Sequence, residues 1–455
     1  MIPTNRKSTA TTKLRGPLSQ SRLFGLHRVI HDAGYSGLLY EQWASEYGSV
    51  FSLPGFLGLE KLVLCDPKAV AHLYANEGFG YVKTMFGRSM LWAEGELHRR
   101  QRKFLTPAFS SATIRDLTHI FYDSAHRMAS AWDAILEADD GTSTIDVQNW
   151  CVVVPTNDNN QLMNRISMDS IGIAKFSHDF GAIEGKPQIF DRVDLSGGAA
   201  FFAFMIVAGS MFPAVLRLPS KRKEALVDMN RVLSGVADQL LSKAKEHGNE
   251  EDTSIMGLLL QSETHDADVH MSRDEIIAQQ LNSSLPYLDA VVHETLRMHP
   301  PVSEATRVAT QDDVLPLSTP VVTKSGETVN SIFVAKGSIL TVTLETLDTS
   351  EEFWGPNAKE FKPERWLEDF APRAKEIQGH RHLLTFVDGP RTCLGKTFAL
   401  AEFKAALFVI VQNFTFELPG GKETVIRKHH GNFLPRPQIV GEDGAKVPLR
   451  VRRVV

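Results

Sequence analysis

Residues 385–398 read TFVDGPRTCLGKTF, and they contain one of only three cysteines in a chain of 455 residues. Cys393 stands between Gly389 and Gly395, directly before an apolar run. That run, LGKTFALAEFKAALFVIV from Leu394 to Val411, predicts a helix that begins immediately after the cysteine. Backbone N–H groups and the helix dipole stabilise negative charge at a helix start. The stretch therefore predicts a cysteine whose thiolate form is stabilised.

The residues around this cysteine indicate what the thiolate could bind. Gly389 allows a sharp turn with positive φ, and Gly395 lets a flat cofactor lie close to the backbone. Arg391 offers a fork of donors for a carboxylate, and Phe386 can shield the sulfur from water. Together they describe a pocket for a planar, carboxylate-bearing metal cofactor, and heme fits that description. The alternative is a buried structural cysteine.

Composition excludes several other classes of protein. The chain is 43% hydrophobic and 23% charged, an ordinary globular composition, and its net charge of -5 provides no basic surface for nucleic acid. Cys65, Cys151 and Cys393 are odd in number and far apart, which suits neither a disulfide framework nor a C-x-x-C zinc site. We therefore expect a protein of a reducing compartment that does not bind nucleic acid.

Five residues carry a specific resemblance. Phe386, Gly389, Arg391, Cys393 and Gly395 match F-x-x-G-x-R-x-C-x-G, and on this pattern the chain resembles the cytochrome P450 family, with fungal-type motifs. The resemblance implies a mainly α fold, with a large helical domain and a small β-sheet region. It also implies heme b between a distal helix and the Cys-ligand loop, with Cys393 as the axial ligand of the iron.

A second segment similar to the family contains a charged pair. Glu294 and Arg297 in HETLRMHPPV form an E-x-x-R pair and are neighbours on a helix, although such a pair alone is most often a solvated ion pair. FKPERW supplies Arg365, which in the family completes a buried triad with this pair behind the heme. A buried charge needs its partners, so we expect the loss of any one of the three to be costly.

A third segment, GELHRRQRKFLTPAF, resembles a family helix that reaches a heme propionate. His98 and Arg102 lie at i, i+4 on one face of it, with His98 where Trp is commoner, and Arg307 matches another propionate-binding arginine. The alternative is an exposed basic helix. Three further cations point elsewhere and face either an acidic redox partner or solvent: Arg99, Arg100 and Lys103.

Periodicity along the chain agrees with a mainly α fold. Apolar residues recur every three or four positions in segments such as Leu117–Leu136, whereas β-like runs lie near Ser49–Cys65 and between Arg307 and Val342. We expect a disordered basic tail over residues 1–15 and a single domain over residues 16–455, interrupted by an insertion at 151–162.

The main departure from the family concerns the distal helix that activates dioxygen. Such a helix is predicted to begin at Ser272, which forms a capping box with Glu275. Only 18 residues separate Glu275 from Glu294, enough for one helix of about 27 Å and no second one. We therefore expect a deletion near residues 280–282, and no catalytic residue can be assigned.

The resemblance implies a monooxygenase that inserts one oxygen atom of O2 into an apolar organic substrate. Only 62 residues follow Cys393, too few for a flavin domain, so electrons are expected from a separate NADPH–cytochrome P450 reductase. Two alternatives remain: a heme-binding protein without oxygen activation, acting on peroxide or as an isomerase, and an inactive remnant. Substrate-lining candidates are Phe201, Phe202, Phe204, Met205 and the segment Tyr81–Leu91, with ordinary core packing as the alternative.

Family members of this type sit on the endoplasmic reticulum membrane through an N-terminal helix, and the first residues here contain no such apolar run. Residues 197–216 are uncharged, but Gly209, Ser210 and Pro213 interrupt them. We expect this segment to be a buried or membrane-dipping loop and helix, so that the protein is cytoplasmic or contacts the membrane peripherally.

Overall fold

A computed structural model describes residues 11–147 except 20, 22, 34, 56–57, 77–78, 81–89 and 91–92, residues 165–184 except 177, residues 285–429, and residues 436–454 except 443 and 445. Several expectations lie outside these residues. They are the insertion at 151–162, the apolar segment 197–216, the helix start at Ser272, the deletion near 280–282, and all of Tyr81–Leu91 but Met90.

Helices dominate the described residues, as the periodicity predicts. In chain order they are α1 (His27–Asp32), α2 (Ser36–Tyr47), α3 (Pro67–Ala75), α4 (Gly95–Leu105), α5 (Ser111–Asp116), α6 (Thr118–Ala138), α7 (Arg165–Phe176), α8 (Pro286–Met298), α9 (Leu344–Thr349), α10 (Glu351–Trp354) and α11 (Lys396–Asn413). Short 3-10 turns lie at Pro107–Phe109, Pro363–Trp366, Ala374–Glu376, Gly389–Arg391 and Gly421–Glu423.

The strands form small sheets. They are β1 (Val50–Pro54), β2 (Glu60–Leu64), β3 (Phe79–Gly80), β4 (Thr142–Asp146), β5 (Glu304–Ala309), β6 (Asp313–Val322), β7 (Thr328–Val334), β8 (Ile339–Thr343), β9 (Phe414–Glu417), β10 (Ile426–His429), β11 (Arg436–Ile439) and β12 (Pro448–Arg453). The largest sheet has the order β1-β2-β8-β5-β3, and β2 and β8 are parallel within it. A second sheet has the order β4-β12-β9, and β6-β7 and β10-β11 are two-stranded.

The helix that follows Cys393 is fixed by packing against α6. Phe121, Met128 and Trp132 are buried on one face of α6, as expected of apolar residues that recur with the helical period of 3.6 residues. The Phe121 ring meets the Phe398 ring of α11 edge-on at 4.8 Å between centroids, and Val409 of α11 is fully buried in the same region. Since close-packed interiors tolerate little displacement, α6 fixes the position of the first turns of α11.

The boundary expected for the N-terminal tail is wrong by several residues. Leu14 is only 1% exposed and forms an isolated β-bridge with Thr323, and the Arg15 carbonyl accepts a hydrogen bond from the Ser52 N–H at 2.9 Å. Thr12 likewise donates its N–H to the Phe333 carbonyl at 2.9 Å. Residues 11–15 are therefore ordered, because their backbone groups pair with the β-rich part of the chain.

No helix among the described residues combines the length and the apolar character that crossing a membrane requires.

Candidate functional site

The loop that carries Cys393, residues 386–396 and here named the cysteine loop, closes by local hydrogen bonds. A 3-10 turn at Gly389–Arg391 precedes the cysteine, whose N–H donates to the Phe386 carbonyl at 2.8 Å. Helix α11 then begins at Lys396, two residues later than the apolar run suggested. The Lys396 N–H donates to the Cys393 carbonyl at 3.4 Å. The cysteine thus precedes the helix N-terminus by one tight turn, where the helix dipole favours negative charge.

The two described cysteines lie in opposite environments. Cys65 is buried, its sulfur lies 3.2 Å from the Thr343 hydroxyl, and burial raises the pKa of its thiol to about 12. Cys393 is exposed. Since the thiolate is the metal-binding form, Cys393 can serve as a ligand whereas Cys65 has the properties of a structural cysteine.

Gly389 is required by the turn, as the sequence predicts. Its φ is +67°, and a Cβ at this position would lie 2.4 Å from the Tyr74 carbonyl oxygen. Nearby Val387 also has a positive φ, of 60°, which is rare for a β-branched residue. Strain of this kind persists where the surrounding structure enforces it, and here it lies in the loop that holds the cysteine.

Gly395 leaves space beside the cysteine. Among the described residues, a Cβ added at Gly395 would come within 4 Å only of a Phe109 ring carbon, at 3.8 Å. Two glycines in this loop therefore serve different purposes. Gly389 permits contact with neighbouring backbone, whereas Gly395 keeps one side of the loop open.

Two arginines cross between α4 and the cysteine loop. Arg102 of α4 donates to the Thr392 carbonyl, and Arg391 of the loop donates to the Ala93 carbonyl at 2.7 Å and to the Met90 carbonyl at 3.5 Å. Burial lowers the pKa of Arg102, and charge at Cys393 acts in the opposite direction. The contacts described for Arg391 are to backbone oxygens, and the carboxylate expected at this residue stays a prediction.

His98 and Arg307 are both placed in the interior. His98 is 4% exposed on the inner face of α4, and the alternative of an exposed helix does not apply to this residue. Arg307 of β5 is 2% exposed, donates to the Thr306 carbonyl at 3.2 Å, and lies 5.7 Å from the centre of the Tyr74 ring. Tyr74 also lies against Gly389. Arg307 and the cysteine loop therefore have Tyr74 as a common neighbour.

These residues fit the heme that the sequence pattern implies. An exposed thiol can supply one soft ligand to iron, the open side of Gly395 can accommodate a flat ring, and Arg102 lies close enough to Cys393 to sense its charge. Arginine forks are well suited to propionate carboxylates. The donor set is therefore that of a one-thiolate site for an anionic planar cofactor.

The structure brings Glu294, Arg297 and Arg365 together in the interior. Arg297 binds Glu294 with two hydrogen bonds of 2.8 and 2.9 Å, and the Arg365 Nε donates to Glu294 Oε1 at 3.0 Å. Glu294 and Arg297 are 0% exposed and Arg365 is 8% exposed. The solvated ion pair considered from the sequence is therefore wrong, since the bidentate pair is fully buried.

Two further donors to Glu294 were missed from the sequence. The Trp366 Nε1 donates to Glu294 Oε2 at 2.9 Å, and the Lys362 N–H donates to Glu294 Oε1 at 2.8 Å. Burial alone would raise the pKa of Glu294, but Arg297, Lys362 and Arg365 overcome burial and lower it. Both donors belong to FKPERW, the segment that also supplies Arg365. Its tryptophan, next to Arg365, was the sequence feature that could have predicted a further donor to Glu294.

The guanidinium groups of the triad also hold the chain between α9 and the 3-10 turn at Pro363–Trp366. Arg297 donates to the Asp348 carbonyl at 2.8 Å, and Arg365 donates to the Asn357 carbonyl at 2.9 Å. Both also reach the Glu360 carbonyl, at 3.2 and 3.3 Å. The two arginines thus satisfy backbone carbonyls in the last turn of α9 and in the loop that follows α10.

The outer face of α4 is basic and accessible. Arg99, Arg100 and Lys103 are exposed, and Arg99 pairs with Glu96 on the same helix. This face lies on the same helix as Arg102, which contacts the cysteine loop. A positively charged surface therefore borders the candidate site.

Comparison with known proteins identifies the family. The cytochrome P450 family model matches residues 19–283 and 277–440. Cytochrome P450 monooxygenase claP of Ampulloclitocybe clavipes is 45% identical and covers 98% of this chain and 94% of its own. Cytochrome P450 monooxygenase claU of the same species is 42% identical, covering 100% and 95%. Ganoderic acid synthetase CYP5150L8 of Ganoderma lucidum is 28% identical, covering 89% and 88%.

The family-model match is also divided at one place. The family model aligns in two pieces, and both include residues 277–283. The alignment to claP extends over 512 positions and this chain has 455 residues, so at least 57 aligned positions contain no residue of this chain. Since the family model spans most of the chain and fungal relatives match nearly all of it, the chain belongs to the cytochrome P450 family, as a fungal-type member and an oxidoreductase.

Proposed function

We propose that this cytochrome P450 is a heme-thiolate monooxygenase that oxidises a small apolar organic molecule in secondary metabolism. When bound, heme b supplies the chemistry that places one oxygen atom of O2 on the substrate. The chain supplies the axial thiolate, the sites for the propionates and the walls of the pocket. The name of one relative, ganoderic acid synthetase, supports a biosynthetic role.

The observation that carries the proposal is the position of Cys393. It is an exposed thiol one turn before a helix N-terminus, within a loop whose glycines permit the turn and keep one side open. In this proposal Cys393 is the iron ligand, while Phe386, Gly389 and Gly395 shape the loop around it. A cysteine with a purely structural role would resemble Cys65, which is buried and bonded to a threonine hydroxyl.

We assign the propionates to the cationic side chains near the loop. Arg102 and Arg307 lie on different elements, α4 and β5, and His98 lies on the inner face of α4. Arg391 holds the loop against Ala93, and we also assign its guanidinium, with five N–H donors, to a propionate. The triad of Glu294, Arg297 and Arg365 has a structural role.

Electrons are proposed to come from a separate NADPH–cytochrome P450 reductase. The exposed cations on α4, Arg99, Arg100 and Lys103, provide a positive surface close to the cysteine loop. Such a surface steers an acidic partner toward the site and makes association dependent on salt. We place the protein at the endoplasmic reticulum membrane, as expected of its family, with peripheral contact through the apolar segment 197–216.

A second candidate function is supported by the divided family match. The two matched pieces meet at residues 277–283, and at least 57 of the 512 positions aligned to claP are unmatched in this 455-residue chain. We propose that this region has lost part of the distal helix, at residues 280–282, and that 151–162 is an insertion. A chain without that helix would bind heme yet not activate O2, and would use peroxide, act as an isomerase or be an inactive remnant.

Turnover in isotopically labelled dioxygen distinguishes these functions. The heme-loaded chain is incubated with NADPH, a fungal reductase and a panel of apolar terpenoids and aromatic compounds, with a parallel set in peroxide. The monooxygenase proposal expects one labelled oxygen atom in the product, dependent on NADPH and reductase. Product formed only with peroxide, or heme binding with no product in either set while claP oxidises its own substrate, would support the second candidate.

A further inference from the structure

His380 occupies a junction beside the cysteine loop. Its Nδ1 lies 3.4 Å from the Lys396 ammonium, and its Nε2 lies 3.4 Å from the Nε2 of His293. The centre of its ring is 6.5 Å from that of Phe386, and the two rings meet edge-on. His380 therefore contacts the residues at both ends of the loop, Phe386 before Cys393 and Lys396 after it.

The hydrogen-bond partners fix which nitrogen of each imidazole carries the proton. A lysine ammonium can only donate, so His380 Nδ1 must accept and its proton must reside on Nε2. That Nε2–H can then donate to His293 Nε2, which leaves the His293 proton on Nδ1. The Asp289 carbonyl lies 2.8 Å from His293 Nδ1 and accepts this proton, as the assignment requires.

The surroundings agree with two neutral imidazoles. Burial lowers the pKa of His380 to about 4, and the nearby Lys396 and Arg381 charges act in the same direction. Burial also lowers the pKa of His293. The Asp289 carboxylate is already paired with Lys404 at 2.5 Å and with Arg381. Arg381 lies 3.5 Å from His293 Nδ1, farther than the carbonyl that accepts from that nitrogen.

The chain of contacts connects the cysteine loop to the buried triad. His293 is 2% exposed and directly precedes Glu294 in α8, and its ring packs 5.3 Å from that of Trp366, a donor to Glu294. Lys396 is the first residue of α11 and bonds through its N–H to the Cys393 carbonyl. A rigid, directional path thus extends from α8 through two histidines to the ammonium nearest the cysteine in sequence.

We propose that His380 is a positioning residue for the Cys393 thiolate: with His293 it holds the Lys396 ammonium, and so prevents that cation from donating a hydrogen bond to the sulfur. The inference rests on the proposed heme-thiolate site. Hydrogen bonds and charges at a ligating sulfur withdraw electron density from the metal and raise its reduction potential. Holding Lys396 on His380 therefore preserves the electron donation that the thiolate provides.

Four variants of the full-length, heme-loaded chain test this assignment: His380→Phe, Lys396→Met, the double variant, and His382→Phe as a matched control. His382 lies two residues after His380, but bonds to the Ile377 carbonyl and packs against Phe370. The measurements are the iron reduction potential and the absorption band of the reduced, CO-bound form.

His380→Phe frees the Lys396 ammonium to reach the sulfur. We therefore expect the ratio of ferrous to ferric iron at a given potential to rise roughly tenfold relative to the parent chain, which is an increase of about 59 mV in the reduction potential of a one-electron couple. The strongly red-shifted CO band should weaken in parallel. In the double variant both effects should vanish, because no cation remains to reach the sulfur, and Lys396→Met alone and His382→Phe should match the parent chain. An unchanged potential in His380→Phe, or a shift that persists in the double variant, would overturn the proposal.

A second measurement tests the tautomers directly in the reduced, CO-bound chain, with His380→Phe used to assign the His380 signals. Nitrogen NMR of the chain with labelled histidine should find the His380 proton on Nε2 and the His293 proton on Nδ1. The reverse tautomer at His380 contradicts the proposal. A parent chain that shows no red-shifted CO band would instead refute the heme-thiolate function, whatever the tautomers.

Discussion

Arg102 and Arg391 tie α4 and the cysteine loop together by opposite hydrogen bonds. Arg102 donates from the helix to the carbonyl of Thr392, beside Cys393, while Arg391 donates from the loop to the carbonyl of Ala93, just before the helix. Each guanidinium thus satisfies backbone of the other segment. Helix α4, which carries His98 and Arg102, and the cysteine loop, which carries Arg391, are consequently held together as one unit.

Replacing Arg391 with Met should loosen this connection. A hydrogen bond from a charged donor contributes about 1.5–3 kcal/mol, and only the 2.7 Å contact to Ala93 is short, so we expect a loss of unfolding free energy in that range, together with weaker heme retention. Urea unfolding and heme transfer to apomyoglobin measure the two effects. Arg99→Met on the exposed face of α4 is the matched control and should change the unfolding free energy by less than about 0.5 kcal/mol. Equal effects of the two substitutions would show that the Arg391 contact has no special role.

Glu294→Gln should be among the most damaging changes outside the cysteine loop. It removes the charge that two buried arginines share, and breaking a buried pair costs about 3–5 kcal/mol because the remaining charges lose their partner. We expect little folded protein, or a large drop in the urea midpoint. Glu364→Gln provides the control, since Glu364 precedes Arg365 but is exposed. If Glu294→Gln were as stable as the control, the triad would not be a structural element.

Gly389→Ala should destabilise the chain far more than Gly326→Ala. Both glycines have positive φ, of +67° and +87°, but only at Gly389 would the added Cβ meet backbone, 2.4 Å from the Tyr74 oxygen. The control should cost about 1 kcal/mol, the conformational penalty alone. The Gly389 variant must in addition displace α3 or the loop, and we expect heme retention to fall with stability. Thermal unfolding of both variants measures the two losses of stability. Equal losses would contradict the close contact between Gly389 and the Tyr74 carbonyl.

Glu402 should make stability depend on pH. Burial raises the pKa of its carboxyl to about 7, with Ser167 and Ser170 opposing the shift. The folded chain therefore holds a proton that the unfolded chain releases above about pH 4.5, so the contribution of this carboxyl to stability is largest below that pH and is lost as pH rises to about 7. Glu402→Gln should reduce the difference between urea unfolding at about pH 5 and at about pH 8. Exposed Glu423→Gln should retain the parent difference, and an unchanged slope in Glu402→Gln would refute the assignment.

Short-range patterns predicted much of the cysteine loop. The spacing of Gly389, Cys393 and the apolar run led to the turn with positive φ and to a helix start within two residues of its observed position. The E-x-x-R pair likewise lies on a helix, as expected. These features depend on residues close in sequence, so backbone preference and helical period suffice to predict them.

Features that depend on distant segments were not predicted. Nothing in the sequence indicated that Arg391 would donate to carbonyls about 300 residues earlier in the chain. The order of residues 11–15 depends on contacts with β1, Thr323 and β7, and the contact of His380 with His293 joins a loop to a separate helix. None of these partners has a local sequence signal, because tertiary packing alone brings them together.

The central claim is that Cys393 provides the thiolate of a heme site. Its most direct test is the absorption spectrum of the expressed, dithionite-reduced and CO-saturated chain, compared with Cys393→Ala and with Cys65→Ala as the matched control. We predict a strongly red-shifted Soret band that is absent from Cys393→Ala and retained in Cys65→Ala. No such band in the parent chain, or one that survives in Cys393→Ala, would contradict the assignment.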